Sequence, residues 1–167
     1  MSSVKEDLET LIGYEGPRVE GIDEVCQPMI RQWCEAMQDG NPLYTDPEYA
    51  GKSKYGRTVA PPAMLLSWAM NPLWPPREPP RGPLDQAMEI LDQAGFTQII
   101  IVGSTQRYLK PLFPGDQVSF SYRLQKVSDE RETMLGKGYF VTTTFTYTNQ
   151  KGEQVGTQTL TMLKYRK

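Results

Sequence analysis

Tyr139–Met162 reads YFVTTTFTYTNQKGEQVGTQTLTM, and its period of two decides the fold. Tyr139, Val141, Thr143, Phe145 and Tyr147 alternate with polar positions, the spacing of a half-buried β-strand. The NQKG run from Asn149 to Gly152 has turn chemistry. The pattern then resumes, with Val155, Thr157, Thr159 and Thr161 on one face and Gly156, Gln158, Leu160 and Met162 on the other. Two strands and a tight turn make an antiparallel hairpin. Upstream, Val118, Phe120, Tyr122 and Leu124 alternate in the same way after the turn FPGD, Phe113–Asp116. Thr97–Val102 ends in four consecutive apolar residues and reads as a buried strand leading into GSTQRYLKPL.

Before Phe96 the period is helical. Ile30, Trp33, Cys34 and Met37 recur at i, i+3, i+4 and i+7, so a helix follows Cys26 with Pro28 in its first turn. Gly40 predicts a left-handed stop, and Pro42 blocks continuation. Thr45 or Asp46 before Pro47 opens a short second helix through Ala50. In VAPPAMLLSWAMNPLWPPREPPRGP, Val59–Pro83, the Pro61–Pro62 pair suits a helix start. Ala63–Met70 is apolar almost all round, which predicts a short helix buried on every side. Six of the 13 residues in 71–83 are proline, so that run is an extended loop. Leu84, Ala87, Met88 and Leu91 restore helical spacing, closed by Gly95. Residues 1–18 carry early charge plus Gly13, Gly16 and Pro17 and read as a poorly packed lead-in, leaving one domain over 19–167. Helices first and antiparallel strands second give an α+β fold, a meander sheet packed on a buried helix.

Composition removes several functions. The 167 residues suit one domain able to bury a core without disulfides or metals. Eighteen basic against 20 acidic residues leave a net charge of −2, so no strong field draws nucleic acid or membrane. The chain contains no histidine. No Ser-His-Asp or Cys-His nucleophile system can therefore be built from it alone, nor an imidazole-based zinc site. Cys26 and Cys34 cannot supply four thiolates and read as reduced buried thiols. With no apolar segment at the N-terminus and no long apolar run, a cytoplasmic protein is expected.

The chemistry-bearing stretch is Trp33–Ala50, WCEAMQDGNPLYTDPEYA. It resembles the signature of the (R)-specific, MaoC-like enoyl-CoA hydratases, in which an aromatic-containing helix ends in Gly-Asp-x-Asn-Pro-apolar-His. Asp39, Asn41, Pro42, Leu43 and Ala50 stand at matching positions. Val59–Leu66 matches the start of the family's central helix, and RYLKPLFPGD, Arg107–Asp116, matches its sheet. The resemblance covers roughly residues 19–164. It implies a single hot-dog fold, with an antiparallel sheet wrapped around a buried central helix. In the family, an Asp–His pair holds the water added across the 2,3 double bond of an enoyl thioester, and backbone N–H groups polarise the thioester carbonyl.

This sequence departs from the pattern where it matters most. Tyr44 replaces the histidine, and Gln38 the preceding glycine. A tyrosine with a solution pKa near ~10 is a poor base at neutral pH. The resemblance is therefore to the dyad-less MaoC-like subunit of heteromeric steroid side-chain enoyl-CoA hydratases. It implies a chain without catalytic residues of its own, Asp39, Asn41 and Tyr44 being vestiges. A His-bearing MaoC-like partner subunit and an acyl-CoA substrate follow, in a hetero-oligomer or, for the isolated chain, a homodimer, with no cofactor beyond the coenzyme A of the thioester and no metal. The missing base would leave room for a bulky acyl group.

Met64, Trp68, Trp74, Arg107, Tyr108 and Lys110 are the candidate substrate-binding residues. Arg107 and Lys110 suit the phosphates of coenzyme A, and a tryptophan in a proline loop needs a surface to bury on, a partner subunit or the acyl chain. Each also has a plain structural reading: Asp39 and Asn41 flank a helix stop, Tyr44, Met64 and Trp68 suit a core, and single basic residues on strands are mostly solvated. Two other functions stay open: a hot-dog acyl-CoA thioesterase using Asp39, Glu35 or Asp46 to activate water, and a scaffold that binds no substrate.

Overall fold

The computed structural model describes residues 3–78 and 80–167; Pro79, in the proline run, and the first two residues of the expected lead-in lie outside them. In chain order come α1 (Val4–Glu9), β1 (Val19–Glu20), α2 (Gln27–Met37), α3 (Pro42–Thr45), α4 (Pro47–Gly51), α5 (Pro83–Gln93), β2 (Gln98–Tyr108), β3 (Ser119–Val127), β4 (Arg131–Thr133), β5 (Gly136–Thr148) and β6 (Gln154–Arg166). The strands form one antiparallel sheet in the order β1-β3-β5-β6-β2, with β4 paired to β5 off that path. The period-two reading of Tyr139–Met162 is the β5–β6 hairpin, in which Val141 pairs with Met162 and Thr144 with Thr159.

One sheet face carries the core. Around α2 and the chain after Pro61, one cluster gathers Ile30, Cys34, Met64, Leu65, Trp68, Val118, Tyr147 and Val155. A second gathers Leu8, Ala87, Leu91, Phe96, Leu124, Tyr139 and Val141 under α5. The opposite face presents a threonine ladder, Thr142 against Thr161 and Thr144 against Thr159, with hydroxyls 3.1 and 3.0 Å apart. Helix α5 is pinned to the sheet at its start, where the Asp85 carboxylate accepts the Gly82 N–H at 2.8 Å and the Tyr122 hydroxyl.

Four expectations are corrected. The lead-in is packed: Ser3 and Glu6 form a reciprocal cap on α1, and Leu8 is fully buried against α5. Among its charged residues, Val4, Leu11 and Ile12 pack beside Leu8 on the same cluster. Ala63–Met70 is not one helix buried on every side but two 3-10 turns, Pro62–Met64 and Ser67–Ala69. Met64, Leu65, Trp68 and Ala69 point inward, while Leu66 and Met70 are 43 % and 56 % exposed. The helix lying across the sheet is α5, beyond the proline run. Helix α2 is stopped by Gln38, whose φ of 54° and ψ of 37° are left-handed, not by Gly40. The fourth concerns Ile99–Val102, which form no buried strand. They lie on β2, which among the described residues pairs with β6 alone, and are 43–60 % exposed. Among the described residues no helix is long and apolar enough to cross a membrane.

Close approach sets two glycines. A Cβ on Gly21 would lie 2.1 Å from the Trp68 carbonyl oxygen, and one on Gly156 2.6 Å from Leu65 Cδ2. These contacts let the 61–70 segment lie directly on β1 and β6.

Burial also makes the fold sensitive to alkali. Tyr147 is 1 % exposed, its hydroxyl donating to Gln158 Oε1 at 3.1 Å, and burial pushes its pKa up to about 12. Because the folded value is raised above the unfolded one, near ~10, this contribution to stability is complete below pH ~10 and is lost as pH rises towards 12. A shift of about two units corresponds to roughly 3 kcal/mol. Chemical denaturation across that window is expected to give a shallower loss for Tyr147→Phe than for wild type. Equal slopes would remove Tyr147 as a contributor.

Candidate functional site

Asp39, Asn41 and Tyr44 lie in one short segment built by its own polar side chains. Asp39 Oδ1 accepts the Asn41 N–H at 3.1 Å, and Asn41 Oδ1 accepts the Leu43 N–H at 3.1 Å, capping α3. Asp46 repeats the device for α4, accepting from Glu48 and Tyr49. Asp39 and Asn41 thus both hold backbone. Gln27, which the sequence reading passed over, ties this segment down: its amide donates to the Tyr44 carbonyl at 2.6 Å and accepts from Thr58 at 3.0 Å.

A cleft of about 240 Å³ opens beside Tyr44. Leu43, Tyr44 and Tyr55 form one wall, Val59–Pro62 and Leu65 the floor, and Tyr108–Leu112 with Val155 the other wall. Backbone bonds set its width: Val59 N–H to Leu43 O at 3.1 Å, Ala60 N–H to Leu112 O at 2.8 Å, and Leu109 N–H to Val155 O at 2.9 Å. Lys110 is the charged residue lining it among the described residues, and its Nζ is held 2.6 Å from Glu153 Oε1.

The titration of Tyr44 opposes a role as base. Burial raises its pKa, the Asp39 charge raises it further, and the Asn41 amide pulls weakly the other way. At neutral pH Tyr44 is a neutral hydroxyl. The floor lacks a second ingredient as well. Pro61 and Pro62 carry no N–H, and the Met64 N–H is bonded to the Pro61 carbonyl at 2.9 Å. That turn therefore offers at most the single amide of Ala63, where an oxyanion hole works with preorganised donors.

The candidate binding residues separate. Tyr108 and Lys110 line the cleft. Met64 and Trp68 are core, each 2 % exposed, and the Trp68 indole N–H has no partner among the described residues. Arg107 lies on the far face of the sheet opposite Thr157. Trp74 stands 84 % exposed beside Leu73 at 92 %, covered by none of the described residues. The carboxylates suited to a thioesterase lie outside the cleft: Asp39 and Asp46 hold backbone, and Glu35 pairs with Arg31 at 2.8 Å. Of the two thiols, only Cys34 is buried.

Residues 11–158 match the model of the FAS1-like, dehydratase domain region. A probable enoyl-CoA hydratase alpha subunit of Thermomonospora curvata is 37 % identical over 153 residues, 87 % of this chain and 46 % of that protein. The 3-oxo-4,17-pregnadiene-20-carboxyl-CoA hydratase alpha subunit of Mycobacterium tuberculosis is 38 % identical over 131 residues, 77 % of this chain and 41 % of the relative. The chain thus spans less than half the length of either. Among solved structures, the ChsH1-ChsH2 complex from Mycobacterium tuberculosis contains a chain that superposes with a TM-score of 0.92 at 31 % identity, covering 99 % of this chain and 98 % of that one. With the strand order, the helix laid across the sheet and the Asp39–Tyr44 segment, this places the chain in the FAS1-like dehydratase family of MaoC-like hot-dog proteins.

Proposed function

We propose that this chain is the dyad-less subunit of a heteromeric enoyl-CoA hydratase, shaping the pocket for a bulky, steroid-type acyl thioester while a His-bearing MaoC-like partner supplies the base. One observation carries the reading: a neutral Tyr44 stands where the family has its imidazole, in a cleft whose floor includes Pro61 and Pro62. In the reaction, the partner's imidazole takes a proton from water as the hydroxide adds to C3 of the enoyl group. The same group returns a proton to C2, so one water is consumed and no redox change occurs. This chain contributes walls and orientation.

Size supports a shared site. Pockets for small molecules run from about 300 to 1,000 Å³, and the 240 Å³ cleft is too small to enclose an acyl-CoA alone. Edge strand β2 supports it too. Ile99–Val102 are exposed on both faces of a strand with one side unpaired, the condition of a strand that another chain completes. The names of the relatives support the steroid-type acyl group and the heteromer.

The test is reconstitution. Incubated with a steroid-type enoyl-CoA, the lone chain is expected to leave the 2,3 double bond intact. Addition of a His-bearing MaoC-like partner is expected to raise hydration at least about 10³-fold, within the range of general acid–base catalysis. Hydration by the lone chain that disappears in Asp39→Ala would overturn the proposal.

A further inference from the structure

The segment Gly51–Arg57, GKSKYGR, carries three cations and no acid. It runs from the end of α4 to the cleft floor and supplies Tyr55 to the cleft wall. Lys52 is engaged with Glu48 at 2.7 Å. Lys54 and Arg57 have no carboxylate within ion-pair distance among the described residues, and both are propped on rings. Lys54 Nζ lies 5.0 Å from the Tyr55 ring centroid. Arg57 Cζ lies 4.1 Å from that of Phe113, the residue after the Pro111–Leu112 wall. A guanidinium held over an aromatic ring keeps its charge and can still offer N–H donors to phosphate oxygens. Lys110, which lines the cleft, is paired with Glu153 at 2.6 Å, so among the described residues Lys54 and Arg57 are the cations beside it that remain without a carboxylate.

We infer that Arg57 and Lys54 are the phosphate contacts of this cleft, receiving the phosphorylated nucleotide end of the coenzyme A thioester. Arg107, on the far face of the sheet, takes no part in this. The inference rests on the proposed function, since it assumes that the ligand is a coenzyme A thioester. The cleft supplies what such a tail needs beyond charge: tyrosine rings at 44, 55 and 108 and an apolar floor of Pro61, Pro62 and Leu65 for the pantetheine arm. Both cations are exposed, so the contacts are wet and salt-sensitive.

Calorimetry with free coenzyme A, dephospho-coenzyme A and pantetheine separates the possibilities, using the chain alone and assembled with its partner. Wild type is expected to bind coenzyme A at least tenfold more tightly than pantetheine, with the preference shrinking as salt is raised. Charge-assisted hydrogen bonds of ordinary strength correspond to roughly a tenfold loss for each cation removed. The Lys54→Ala/Arg57→Ala variant should therefore bind coenzyme A and pantetheine about equally, with an unchanged melting temperature. Lys126→Ala/Arg131→Ala alters net charge by the same amount at another surface and should retain the wild-type preference. A Lys54→Ala/Arg57→Ala variant that keeps the preference overturns the assignment of the loop and leaves the proposed function standing. Failure of wild type to bind coenzyme A in either form overturns both.

Discussion

Ile99→Lys combined with Ile101→Lys is expected to leave the chain folded and to abolish its assembly with the His-bearing partner. Both side chains point to the helix-bearing face of β2, opposite Lys164 and Met162, and both are more than half exposed. The isolated fold therefore loses little, and its melting temperature should stay within a few degrees of wild type. Burying an isoleucine at an interface contributes about 1.5–3 kcal/mol, and burying an unpaired ammonium there costs more than that gain. Two substitutions should weaken association by at least about 10³-fold, because every 1.4 kcal/mol is a factor of ten. Lysine on an unpaired strand is also the device by which soluble proteins prevent edge-to-edge pairing. Sedimentation of the mixture should then show two separate species, and hydration should fall with the loss of complex. Survival of the heteromer would place the partner on another surface, with the exposed Leu73–Trp74 corner as the next candidate.

The same four residues show where sequence reading stops. An apolar run such as Ile99–Val102 reports that a strand will be covered on both faces; it does not report by which chain. The alternation in β5 and β6 was legible because one face meets the core of the same chain and the other meets water. Helix α2 was legible from its spacing, but its end was not. A glycine is the usual left-handed stop, and here Gln38 adopts that conformation two residues early, at a steric cost that no pattern signals. The Asp39–Tyr44 segment could be placed by resemblance, yet the engagement of Asp39 and Asn41 with backbone N–H groups needed coordinates. Tyr55 and Arg57 went unread for a different reason. Neither belongs to a spaced motif; the Val59–Leu43 and Ala60–Leu112 bonds fold the loop so that Tyr55 lines the cleft and Arg57 lies over the Phe113 ring.

Tyr44→His alone is expected to leave the chain without hydratase activity, when measured in a complex whose partner has had its own histidine replaced by alanine. The substitution returns an imidazole to the cleft beside Asp39, and with it a group that titrates near neutral pH. In the floor, however, the Val59 and Ala60 N–H groups are already bonded and Pro61 and Pro62 have none, so the negative charge that develops on the thioester oxygen finds too few N–H groups there. Restoring an amide with Pro62→Gly should change that. One oxyanion donor is worth about 10²–10³ in rate, and a general base about 10²–10⁴. These parts work on one transition state, so their effects are not independent. The double variant Tyr44→His/Pro62→Gly should therefore exceed either single variant by at least about 10²-fold, with a bell-shaped pH profile whose limb near neutrality is absent from Pro62→Gly. If Tyr44→His by itself reaches the rate of the double variant, the prolines are not a second lesion, and Ala63 or a donor from the partner already polarises the carbonyl. If the double variant stays silent while a thermal melt shows it folded, the segment around Tyr44 no longer meets the reacting carbons, and this half of the heteromer serves binding alone.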